Sequence, residues 1–271
     1  MSMKSFAPRR LAALPIVALM IAALMIGCGG TESNTPVRGA ADPAGADEAA
    51  AVGGAADATA TGRAGANGIE AGDRDVHARG TVLFIGTSLT AGLGLPESQS
   101  FPLLIERRIA ETGLPFDVVN AGVSGETSAG ALRRIDWLLR QDFDIVVLET
   151  GANDMLRGID PASTERNIQA IVDRIREARP DVEIVLAGML SLPNMGEAYA
   201  REFEAIYPRL AQRNDLAFVP FLLDGVGGVR DLNQDDGVHP NAEGHRRIAE
   251  TVWSVLGPVL EEAAAEDRIS E

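Results

Sequence analysis

A hydroxyl attacks a carbonyl efficiently only when a base takes its proton and hydrogen-bond donors hold the oxyanion that forms. The chain has three histidines, so candidate bases are few. One of them, His239, stands in D-G-V-H-P-N (Asp236 to Asn241), three residues after a carboxylate. In a turn entering a helix, that spacing can bring Asp236 beside one imidazole nitrogen. The carboxylate would then fix the tautomer and stabilise the imidazolium, leaving the other nitrogen as a general base. The same residues also suit a plain polar turn, with Asp236 capping a helix and His239 at the surface. The candidate nucleophile is Ser88 in G-T-S-L-T-A-G (Gly86 to Gly92), directly after an apolar run. This is not a G-x-S-x-G elbow, because position 90 is Thr, and it lacks the Gly-Lys-Ser/Thr ending of a phosphate loop. Oxyanion donors are sought in two further blocks. N-A-G-V-S-G-E-T-S (Asn120 to Ser128) contains Gly122 and Gly125, which allow tight turns with exposed amides. E-T-G-A-N-D (Glu149 to Asp154) offers the side-chain amide of Asn153, with Glu149 as a structural residue at a strand end. The amides of Ser88 and Gly122 together with Asn153 form the expected oxyanion hole.

These blocks must be held by elements. Apolar runs at Val82–Ile85, Phe116–Asn120, Asp144–Leu148, Val182–Ala187 and Leu216–Phe221 read as buried strands. Helical periodicity fills the intervals: Pro102–Thr112, Ala129–Arg140, Pro161–Arg179, Glu197–Asn214 and Ala242–Ala263. Strands alternating with helices predict an α/β fold, a three-layer α/β/α sandwich around a five-stranded parallel sheet. Ligands in such sheets bind beyond the C-terminal ends of the strands, where all four blocks fall. Trp137 and Trp253 are expected in the core, and His245 on a solvent-facing helix surface.

The blocks G-T-S-L-T-A-G, N-A-G-V-S-G-E-T-S, G-A-N-D-M-L-R-G and D-G-V-H-P-N, in this order, resemble those of the SGNH (GDSL-type) hydrolases. The branch they are most similar to is that of arylesterases, acyl-CoA thioesterases and lysophospholipases. The likeness extends through A-I-Y-P-R-L-A (Ala205 to Ala211) and V-P-F-L-L (Val219 to Leu223). It implies Ser88 as nucleophile, Asp236 and His239 completing a triad, and Gly122 and Asn153 in the oxyanion hole. It also implies that the stretch Leu190 to Tyr199 helps shape an acyl pocket. One departure stands out: the family usually carries Asp before the serine, and here it is Thr87. An esterase or thioesterase is the expected activity. A carbohydrate O-acetylesterase using the same residues is the enzyme alternative, and an envelope binding lipoprotein without turnover, motivated by Thr87, the non-enzyme one.

Composition bounds the partners. The net charge of −15 argues against nucleic acid or an anionic membrane surface, since both repel a strongly acidic protein. A single cysteine excludes an internal disulfide and a cysteine-based zinc site. Asp231, Asn233 and Asp235 alternate as in a calcium loop, but Asp236 stands where that loop needs glycine and Ala242 where it needs glutamate. No metal or organic cofactor is implied, and the expected partner is a small ester or thioester.

The N-terminus reads as a targeting segment. Lys4, Arg9 and Arg10 precede the apolar run Leu11–Ile26, which is short for a membrane span and suits a signal-peptide core. The run ends M-I-G-C at Cys28, which resembles a bacterial lipoprotein signal; a plain signal peptide with an incidental cysteine is the alternative. The expected organisation is a signal peptide over residues 1–27 and a disordered Ala/Gly-rich tether over 28–79, in which His77 is a solvated residue. A hydrolase domain over 80–264 and a tail over 265–271 follow. Cleavage would leave 21 basic and 39 acidic residues, a net charge of −18. The expected location is the bacterial cell envelope, with a lipid anchor at Cys28.

Overall fold

The computed structural model describes residues 80–270. The signal-peptide, Cys28 and tether expectations therefore lie outside the described residues. Five strands, β1 (Gly80–Gly86), β2 (Phe116–Gly122), β3 (Ile145–Glu149), β4 (Glu183–Ala187) and β5 (Ala217–Val219), form one sheet in the order β2-β1-β3-β4-β5. Every pairing is parallel. The α-helices are α1 (Ser88–Ala91), α2 (Phe101–Thr112), α3 (Ser128–Leu138), α4 (Ala152–Leu156), α5 (Pro161–Ala178), α6 (Glu197–Glu204), α7 (Ile206–Asn214) and α8 (Ala242–Ser270).

Successive residues of a strand point to opposite faces of its sheet. In β1, Val82 to Ile85 are all buried, and so are Ile145 to Leu148 in β3. Both faces of the sheet centre are therefore covered, which is why these strands read as unbroken apolar runs. Helix α2 packs on α8, and α3 packs on α5. Helix α5 starts at Asp160, whose side chain accepts the Ala162 N–H, with Pro161 in its first turn. It buries Ile168, Ile171, Val172 and Ile175, the spacing of a single helical stripe. The strand order changes direction at β1: the chain passes from β1 out to β2, then returns to β3 on the other side. Such a reversal opens a crevice at the C-terminal ends of β1 and β3.

Four expectations are corrected. The helix anticipated over Glu197–Asn214 is two helices joined at Ala205. Pro208 lacks the N–H that would bond Glu204, and its ring crowds that carbonyl. Helix α8 continues to Ser270, past the anticipated start of a tail, because its buried stripe of Ile248, Val252, Leu256 and Leu260 extends to Ala264. Trp137 is 60% exposed: Ile135 and Leu138 take the buried side of α3, and Trp137 falls on the other. His245 is buried rather than solvent-facing, stacked on Phe101, whose N–H its Nδ1 accepts at 3.2 Å.

Candidate active site

Ser88 is the first residue of α1, immediately beyond β1. Thr87 caps that helix in extended conformation, its Oγ1 accepting the Leu89 N–H. The strand end is held from below by Glu149, the last residue of β3. Thr87 donates its N–H to Glu149 Oε2 at 2.7 Å and its hydroxyl to the same oxygen at 2.9 Å. Thr90 donates a third bond at 2.9 Å. Burial raises the Glu149 carboxyl above its usual range, and the donors on Thr87 and Thr90 work against that rise. Gly86 is required here, because a side chain would run into Thr90 Oγ1 and Glu149. The hydroxyl at position 87 thus gives the neighbouring carboxylate a donor. An aspartate in its place would set two carboxylates together.

The histidine arrives from the other end of the sheet, on the loop between β5 and α8. An isolated bridge between Asn233 and Pro240 closes this loop, with Gln234 N–H donating to the His239 carbonyl at 2.7 Å and Asn241 N–H to Leu232 O at 2.9 Å. Inside it, Asp236 Oδ1 accepts the N–H groups of Val238 and His239 at 2.9 and 3.0 Å, and Asp236 Oδ2 lies 2.6 Å from His239 Nδ1. The polar turn and the imidazole–carboxylate pair are thus one structure. Hydrogen bonds from the His239 backbone and ring and the Val238 backbone hold the Asp236 carboxyl well below the usual carboxylate range. An ionised Asp236 places the imidazole proton on Nδ1 and leaves the Nε2 lone pair outward. His239 Nε2 lies 3.0 Å from Ser88 Oγ. The two loops are tied by Gln234, whose side-chain amide donates to the Leu93 and Pro240 carbonyls at 2.7 and 3.0 Å. A lone glutamine carries no sequence signal, and this tie was not anticipated.

The donors are distributed differently from expectation. Asn153, in α4, lines the cavity beside Ser88 and donates to the Glu126 carbonyl at 3.0 Å. An amide nitrogen carries two hydrogens, so one remains for a ligand. Gly122 is the correction. It lies within β2, paired with Gly86, and its N–H is spent on Asn120 Oδ1 at 3.0 Å. Its missing side chain is needed because a Cβ would collide with the backbone of Thr90 and Ala91. Gly125, three residues on and left-handed at φ 76°, is the glycine of this loop that lines the cavity with Ser88 and Asn153.

The cavity has a volume of about 530 Å³. The chain after β4 contributes Met189, Leu190, Leu192 and Pro193, and the chain after β5 contributes Phe221 and Leu223. Its rim residues Leu93, Leu156, Leu190, Leu192 and Val238 are 40% to 46% exposed, too open to serve as core. A nucleophilic hydroxyl, a base of fixed tautomer and an apolar trough share one opening. That arrangement can accept an acyl chain and transfer its carbonyl to an oxygen. No cluster of His, Cys, Asp and Glu suited to a metal occurs among the described residues.

Comparison with known proteins is consistent across sequence and structure. Residues 84–247 match the model of the GDSL-like Lipase/Acylhydrolase family. Over 181 residues the chain is 40% identical to Esterase TesA of Pseudomonas aeruginosa, covering 66% of this chain and 89% of the relative. It is 35% identical over 182 residues to the Thioesterase 1/protease 1/lysophospholipase L1 of Escherichia coli strain K12, covering 66% of this chain and 85% of the relative. A crystal structure of TesA superposes with a TM-score of 0.63 at 40% identity, covering 66% of this chain and 98% of that one.

Proposed function

The chain belongs to the GDSL-like lipase/acylhydrolase family and is an ester hydrolase, and on that premise we propose that it cleaves medium- and long-chain acyl esters and thioesters through an acyl-enzyme on Ser88. The observation that carries this reading is the unbroken hydrogen-bonded series Asp236–His239–Ser88 at the mouth of an apolar cavity. His239 Nε2 takes the hydroxyl proton as Ser88 Oγ attacks the carbonyl carbon. The imidazolium that results is stabilised by Asp236. The oxyanion is held by the N–H groups of Ser88 and Gly125 and by Asn153 Nδ2. His239 then returns the proton to the departing oxygen or sulfur. Water repeats the sequence on the acyl-enzyme, and the carboxylic acid leaves.

The cavity favours this over the carbohydrate O-acetylesterase reading, because an acetyl group would leave most of about 530 Å³ of apolar trough unfilled. The binding-protein reading rested on Thr87, whose hydroxyl and N–H both engage Glu149. The second part of the proposal is export followed by lipid attachment at Cys28, supported by the basic head, the Leu11–Ile26 run and the M-I-G-C sequence. One experiment tests both parts: peptide mass analysis of the protein recovered from bacterial membranes and treated with a fluorophosphonate. The expected result is an adduct on Ser88 and a lipid-modified N-terminal Cys28. An unmodified Ser88 in folded protein overturns the first part, and a free Cys28 thiol overturns the second.

A further inference from the structure

Exposed apolar side chains are confined almost wholly to one end of the domain. Eight large ones are exposed among the described residues. Leu93, Leu156, Leu190, Leu192 and Val238 line the mouth of the apolar cavity. Val123 and Val229 line no part of it but flank it. Val123 donates its N–H to the Gly86 carbonyl at 2.8 Å, just before the serine turn, and Val229 follows Gly228, which lines the cavity. Only Trp137 lies elsewhere, in the last turn of α3 and about 14 Å along that helix from its start. An acyl site needs apolar walls, but it does not need Val123 and Val229 exposed outside those walls. Exposed apolar residues gathered at one place mark a surface that meets another apolar phase. The charge of that partner is bounded too. The loop between β5 and α8 exposes Asp224, Asp231, Asp235 and Asp236 beside Val229 and Val238, with Arg230 as its one Lys or Arg. An anionic surface would repel that loop.

We infer that this end of the molecule docks on a zwitterionic lipid surface, with the apolar rim seated at the boundary between headgroups and acyl chains. The inference rests on the reading of the trough as the acyl site: a rim seated in lipid lets an acyl chain pass into the trough without crossing water. Docking is within reach of the proposed lipid attachment at Cys28. Strand β1 begins at Gly80, at the opposite end of the sheet from the mouth, and its seven residues span about 23 Å. Residues 28–79 can span at most about 170 Å, so the domain can turn its mouth to the surface that holds the anchor.

The test uses the full chain and two variants of it, the double variant Val123→Glu/Val229→Glu and the single variant Trp137→Glu. Two substrates are compared: nitrophenyl butyrate in solution and a long-chain monoacylglycerol carried in phosphatidylcholine vesicles. The readout is the vesicle rate divided by the solution rate, which cancels differences in folded enzyme. Charge on the rim should lower this ratio about tenfold or more in the double variant, with butyrate turnover unaltered, while Trp137→Glu leaves the ratio as it is. Phosphatidylglycerol added to the vesicles should lower the ratio in the unaltered protein, and salt should restore it. An equal ratio in the double variant and the unaltered protein overturns the inference, and butyrate turnover then keeps the Ser88 reading intact. A ratio that falls in Trp137→Glu instead, or that rises with phosphatidylglycerol, overturns it as well. Should neither substrate turn over, the Ser88 reading fails, and amide hydrogen exchange of the unaltered protein decides the docking. Slower exchange over residues 190–193 and 226–238 on addition of vesicles supports it. Exchange that is unchanged there, slowed around Trp137, or slowed by raising the protein concentration without lipid overturns it, the last by assigning the rim to a second copy of the chain.

Discussion

Residue type and short-range spacing singled out Ser88, Asp236 and His239, and the fold brings these three side chains within hydrogen-bonding distance in series. Asp236 and His239 are three positions apart, and in this turn the one carboxylate bonds both the backbone and the ring of the histidine. Asn153 was singled out as an amide in the segment after β3, and in α4 it lines the cavity beside Ser88. Gly122 was read as a donor facing the serine, whereas the structure puts its N–H on Asn120 and lines the cavity with Gly125. Two glycines three residues apart in one loop look alike in sequence, and the difference lies in where β2 ends. Because β2 runs through Gly122, that amide turns to Asn120, and the first left-handed position falls at Gly125. A donor that acts on the oxyanion is strongest in the transition state. Asn153→Ala should therefore lower kcat by about a hundredfold or more with little change in KM. Steady-state kinetics would check this, and a raised KM at unchanged kcat would remove Asn153 from the oxyanion hole.

At the scale of elements, five strands and the α2, α3 and α5 helices follow directly from apolar periodicity and capping. Periodicity does not report what joins one element to another, so the Glu149 network was invisible. Thr87, Thr90 and Glu149 are up to 62 residues apart in sequence and meet only because β1 and β3 are neighbours. The buried carboxylate holds the turn that presents Ser88. Thr87→Val keeps the side-chain shape and removes both the hydroxyl's bond to Glu149 and its capping bond from the Leu89 N–H, which should cost about 1–3 kcal/mol of stability. Turnover should fall as well, because the serine loop loses a fixed point. Denaturant midpoints and kcat would read the two effects, and Thr87→Ser should restore much of both. A Thr87→Val protein matching the unaltered one in stability and turnover would show that the hydroxyl is not needed there.

For the whole molecule, the fold was legible because a parallel sheet covered on both faces leaves few alternatives for this order of strands and helices. The cavity was legible only in its Leu190–Tyr199 portion. Its rim gathers Leu93, Leu156 and Val238 from three separate loops, each too short to announce a binding surface. His245 shows how global packing resets a residue that helical position alone leaves open. Burial, with a smaller contribution from nearby His239, pushes its pKa down to about 4. The unfolded chain holds that histidine near its ordinary value of about 6.5. Above that value neither state is protonated and the contribution is complete. Between about 6.5 and about 4 the unfolded state binds the extra proton, so stability falls with pH by up to about 3 kcal/mol in total. His245→Asn, which keeps an acceptor for the Phe101 N–H, should flatten this slope. Unfolding free energies measured across that range would check it, and equal slopes in both proteins would contradict it. The central claim joins the scales: an acyl chain buried in the trough delivers its carbonyl to Ser88. Its most direct test is kcat/KM for nitrophenyl esters from acetate to octanoate, in the unaltered protein and in Ser88→Ala. Each methylene buried contributes about 0.8 kcal/mol, so activity should rise by up to about fourfold per methylene and vanish in the variant. A sharp preference for acetate, or hydrolysis that survives Ser88→Ala, would contradict the account.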